Sequence, residues 1–100
     1  MKLSPSSAQK IKTYVGFACK ARKCVLGVDN IIKVNKPMLV LYSSELAENS
    51  VKKTLESTKA HSQRAEKIED FNLITPKIGC KAVGIKDINL AEAIIKQLNI

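Results

Sequence analysis

The chain has 100 residues, enough for one domain with a core of moderate size. Hydrophobic residues make up 45% and charged residues 26%, which argues against intrinsic disorder, and the longest apolar run, Met38–Tyr42, is too short for a helix that crosses a bilayer. The formal net charge is +8, concentrated in residues 1–36, where eight Lys/Arg face one acid, Asp29; residues 37–100 hold nine bases and eight acids.

Such asymmetry points to a polyanionic partner, nucleic acid or an anionic membrane surface. The opening "MKLSPSSAQKIK" has no apolar segment of the signal-peptide kind. Three cysteines is an odd count for a disulfide framework, so reduced thiols and a cytoplasmic location are expected.

In chain order, Ser4-Pro5 reads as an N-cap and first helical residue. Ile11, Tyr14, Val15 and Ala18 follow at helical spacing. Cys24-Val25-Leu26 is a short apolar run ended by Gly27, a strand that opens into a helix over Asp29–Lys36, closed by Pro37. Met38–Tyr42 is continuous and apolar, the pattern of a strand buried on both faces. Val51, Leu55 and Thr58 mark the inner face of a third helix. Arg64–Ile68 is a charged strand suited to a sheet edge. Asp70–Ile74 reads as a helical turn, Ala82–Ile85 as a strand, and Asn89 as the cap of a last helix with Leu90, Ala91, Ile94, Ile95 and Leu98 inward. Strict alternation of helix and strand predicts an α/β domain with helices on both faces of a sheet of about four strands.

The chemistry-bearing residues are few. Cys19, Cys24, Cys80 and His61 lack the paired spacing of a zinc site, so no metal or cofactor is expected, and the cysteines read as small hydrophobes. One histidine and no nucleophile elbow leave no triad, and Glu45/Glu48 and Glu66/Glu69 read as solvated surface, so no enzyme is expected. The basic stretch "GFACKARKCVLGVDN" remains. It places Lys20, Arg22 and Lys23 before a strand that ends at Gly27. Asp29 and Asn30 then share a helix face with Lys33. That outline suits phosphates on the basic flanks and base edges on the short polar side chains. The alternative is that Asp29 or Asn30 merely caps the helix. Only Tyr14, Phe17, Tyr42 and Phe71 are aromatic, which disfavours modules that stack unpaired bases on exposed rings.

Three strings in order, "GFACKARKCVLGVDNIIK", "KPMLVLYSSELAENSVKK" and "VGIKDINLAEAI", resemble the L-seven-Ae / L-thirty-e ribosomal protein superfamily, in particular its small bacterial YlxQ-like members. The resemblance runs from about Tyr14 to Leu98. It implies a single domain over residues 1–100, a three-layer α/β/α sandwich, and binding to kink-turn or kink-loop RNA. It also implies that the corner after the first strand reads guanines through a Gly-x-Asn-Glu pattern with a lysine one turn later. Gly27 and Lys33 match that pattern, while Asp29 stands for Asn and Asn30 for Glu. An ionised Asp cannot donate a hydrogen bond, whereas Asn both donates and accepts. The hydrophobic loop that packs on the RNA bend falls on Ile74, Pro76, Lys77 and Ile78. The expected protein is a monomeric, non-catalytic binder of structured RNA, ribosomal RNA or an mRNA leader, associated with the ribosome and not with a membrane. Its rival is a protein-interaction module of the same fold that has lost guanine readout and docks an acidic protein.

Overall fold

The computed structural model describes residues 2–75, 77 and 79–98. Helix α1 spans Pro5–Lys20, strand β1 Cys24–Leu26, the single turn α2 Val28–Ile31, β2 Leu39–Ser43, α3 Glu48–Ala60, β3 Arg64–Ile68, β4 Ala82–Ile85 and α4 Ile88–Gln97, with a 3-10 turn at Phe71–Leu73. The strands form one mixed sheet in the order β1-β4-β2-β3. β2 and β3 pair in parallel, while β4 lies antiparallel to both β1 and β2.

Every residue of β2 is buried, because both faces of this central strand are covered. Leu39 and Leu41 join Val83, Ile85 and Ile68 under α1 and α4, where Ile11, Val15 and Ile94 are fully buried. Val40, Tyr42 and Ala82 face the other way, toward Ile31 of α2 and Val51 of α3. The two clusters make a three-layer α/β/α arrangement. β1 and β3 are the edges, and β3 carries Arg64, Glu66 and Lys67, which blunt its outer side against pairing.

Two boundaries and one helix face differ from the sequence expectation. α2 stops at Ile31 instead of running to Lys36, since Lys33 and Val34 close shorter turns onto Asn30 and Ile31. In α3 the buried residues are Thr54 and Thr58, and Leu55 is 41% exposed. The helical period from Val51 runs through 54 and 58, and both hydroxyls are satisfied by carbonyls of their own helix, Ser50 and Leu55. Asp87, not Asn89, caps α4: its carboxylate accepts from Asn89 N at 2.9 Å and Leu90 N at 3.0 Å.

Candidate functional site

The end of α1 sets the first basic residues. Lys23 N donates to Ala18 O at 2.7 Å and Arg22 N to Cys19 O at 3.1 Å, the paired bonds of a Schellman turn. The turn needs a left-handed residue, and Arg22 fills it at φ 58 where glycine is usual. That costs about 1–2 kcal/mol. β1 then leaves with Lys23 at its root. Lys86, just past β4, donates its backbone N–H to the Lys23 carbonyl at 2.7 Å, extending the β1–β4 ladder by one rung. Two lysines therefore face each other across the strands, a repulsive pairing that an anion relieves.

Lys33 and Lys36 arrive from the segment after α2. Gln63 holds this segment in place: its amide donates to Val34 O at 2.9 Å and to Lys36 O at 2.8 Å. Gln63 is itself fixed by a second Schellman turn at the end of α3, with Ser62 left-handed at φ 55 and Gln63 N bonded to Thr58 O at 2.8 Å. The result is an open groove of about 580 Å³ lined by Arg22, Lys23, Lys33, Lys36 and Lys86, with Val34, Asn35 and Pro37 between them. Among the described residues its lining contains no carboxylate.

The Gly27 corner lies at the other end of β1. The three residues of β1 lie between it and Lys23, and the four steps span roughly 13 Å at about 3.3 Å per residue. Gly27 has φ 87 and ψ 148, a conformation other residues adopt at a cost, and a Cβ there would meet nothing. Neither Asp29 nor Asn30 caps α2. Asn30 instead donates its amide to Leu26 O at 2.9 Å, which locks the corner and commits one of its N–H groups. The Asn30 carbonyl and the exposed Asp29 carboxylate leave the corner rich in acceptors, suited to N–H groups on a base edge. A smaller hollow of about 240 Å³ beside it is lined by Leu26, Gly27, Lys77, Gly79 and Cys80.

The residues expected to form one site thus divide. Arg22, Lys23 and Lys33 converge, and Gly27 joins Lys77, with Asp29 and Asn30 exposed nearby in sequence. Lys20 is exposed in the last turn of α1 and lines neither concavity. The expectation for Ile74 is corrected: it is fully buried beside Phe71 and Ile68, because the 3-10 turn carries it inward and leaves Leu73 exposed. Ile78, like Pro76, lies outside the described residues. Lys36, Lys86 and Gln63 were missing from the expected set. Lys86 carried a faint signal, a lysine directly after a strand, but its partner across the sheet is not written in the local sequence.

The cysteines are free and half-buried, and no cluster of three or more metal-binding side chains occurs among the described residues. The Cys24 thiol is pushed up from 9.0 to about 12, chiefly by burial, then by a hydrogen bond with Cys19 and by negative charge on Cys19 and Cys80, against the opposing pull of Lys86. It behaves as a packed thiol rather than a nucleophile. Among the described residues no helix is long and apolar enough to cross a membrane.

No protein-family model matches the chain, and no curated protein matches it. Among solved structures it is similar to a protein with unknown function from Bacillus halodurans C, with a TM-score of 0.79 at 19% identity over 92% of this chain and 99% of that one. At that identity the likeness establishes the α/β fold.

Proposed function

We propose that the protein is a non-catalytic RNA-binding module of the cytoplasm that grips the phosphate backbone of a structured RNA. The observation that carries this reading is the groove in which Arg22, Lys23, Lys33, Lys36 and Lys86 gather without a carboxylate. Clustered Lys/Arg on one face is the electrostatic footprint of nucleic-acid binding. The Gly27 corner, with Asp29, Asn30 and Lys77, supplies the base-reading contacts at the far end of β1, and β1 is an edge strand that a backbone can follow from one to the other. The resemblance to the L-seven-Ae / L-thirty-e superfamily makes kink-turn RNA the first ligand to try.

The test is a titration with a kink-turn RNA and with the same RNA carrying Watson–Crick pairs in place of its G·A pairs. The expected result is preference for the kinked form. Equal affinity for both removes the base-reading role of the corner, and affinity that ignores salt removes the groove as well.

A further inference from the structure

Beside the basic groove lies a second concavity of about 260 Å³ with a different lining. Its walls are aliphatic, formed by Pro37 and Met38 before β2, Ile85 on β4, and Ile88 and Ile95 on α4. Ile88 stands at its lip and is 69% exposed, more than Phe17, Leu55 or Leu73. Isoleucine that exposed in the first turn of a helix contributes little to the core it leaves. Pro37 and Lys86 line both this pocket and the groove, so the apolar hollow and the cations form one continuous surface.

We propose that this pocket is a docking site for an acidic protein segment, which inserts one large apolar side chain beside Ile88 and lays its carboxylates over Lys86 toward the groove. The volume is below the roughly 300 Å³ at which small-molecule sites begin, and fits a side chain rather than a cofactor. An unpaired base fits less well. Its polar edges would enter aliphatic walls that offer few partners, and no aromatic ring lines the pocket for stacking. Charge sets the direction of the segment. Arg64 at the rim is already paired with Glu66 at 3.0 Å, and Glu92 also lines the pocket, so that side repels carboxylates. Lys86 forms no ion pair among the described residues and opens onto Lys23 and Lys36. The acidic residues therefore run from the pocket across Lys86, and the apolar residue anchors the end. This proposal does not rest on RNA binding, although the two ligands share Lys86.

The experiment is fluorescence anisotropy of the intact protein with a labelled synthetic peptide holding one leucine among glutamates. Saturable binding is expected. Replacing the peptide's leucine by serine, or Ile88→Asp in the protein, is expected to weaken it roughly tenfold or more, and Lys86→Glu likewise. Because Ile88 is exposed, its substitution leaves the core untouched, and circular dichroism confirms that the variant folds. Equal binding of the leucine and serine peptides, or an Ile88→Asp protein with unchanged affinity, overturns the proposal. The kink-turn RNA is measured on the same variants. Loss of RNA binding in Lys86→Glu but not in Ile88→Asp supports separate ligands, whereas equal loss in both assigns the pocket to nucleic acid and ends the peptide proposal. Peptide binding without any RNA binding leaves this inference standing and removes the other.

Discussion

Reversing one charge in the groove separates phosphate gripping from general basicity. Lys33 lines the groove with four other cations, while Lys96 sits in the last turn of α4 and does not. In an open, hydrated site an ammonium about 4 Å from a phosphate is worth about 1 kcal/mol, and Glu in its place turns that attraction into a repulsion of similar size. The swing of about 2 kcal/mol exceeds the 1.4 kcal/mol that corresponds to tenfold. Lys33→Glu is therefore expected to weaken binding to structured RNA by more than tenfold. Lys96→Glu, outside the groove in a solution whose screening length is about 8 Å at physiological salt, is expected to change it little. A salt series gives a second number from the same proteins. If all five cations meet phosphates, log K falls against log salt with a slope of about −3.5 to −4.5, and Lys33→Glu lowers the steepness by about 1. Filter binding or anisotropy at several salt concentrations reads both quantities. Equal losses from Lys33→Glu and Lys96→Glu, with unchanged slopes, refute the groove as the phosphate site.

Four further outcomes test the frame around it. Gln63→Leu strips the Val34 and Lys36 carbonyls of their donor and is expected to destabilise the fold by about 1–3 kcal/mol in urea unfolding, with loss of RNA affinity beyond the unfolded fraction. Gly27→Ala meets no atoms but forces a side-chain-bearing residue to φ 87, so about 1–2 kcal/mol of stability is expected to disappear. Gly84→Ala fails for the opposite reason: the new Cβ comes within 2.8 Å of Met38 Sδ, and the expected loss of about 1–3 kcal/mol is partly relieved as that flexible side chain moves. The folded state holds the Cys24 proton more tightly than the unfolded chain. Its contribution is thus fully present below pH 9.0 and drains away as pH rises toward about 12; a Cys24→Ala variant with the same alkaline decline in stability contradicts this.

The parts of the fold that a single segment decides were legible in the sequence. Met38–Tyr42 announced a strand covered on both faces, the charges of Arg64–Ile68 announced an edge, and Leu90 to Leu98 announced the apolar stripe of α4. What failed were features that depend on two segments at once. The run Asp29–Lys36 reads as one helix in the sequence, but Lys33 and Val34 turn back onto Asn30 and Ile31, and Gln63, distant in sequence, takes the Val34 and Lys36 carbonyls that follow. Ile74 falls on the RNA-contacting loop by resemblance alone, and in the adjacent apolar pair Leu73-Ile74 nothing local says which turns inward; the packing with Phe71 decides it. The basic stretch in the first third of the chain is plain in the sequence. Its spread over both ends of β1, and the addition of Lys86 from the other end of the sequence, follow from antiparallel pairing with β4.

The two hydrogen bonds from Gln63 reach back across 29 and 27 residues of chain. They make the spacing of the cations a property of the completed domain rather than of the basic stretch itself. A peptide cut at Pro37 would keep most of the positive charge and none of the scaffold that fixes the distances between those charges. It would still cling to any polyanion, but it would have lost the fixed geometry that sets those cations apart from a flexible basic tail.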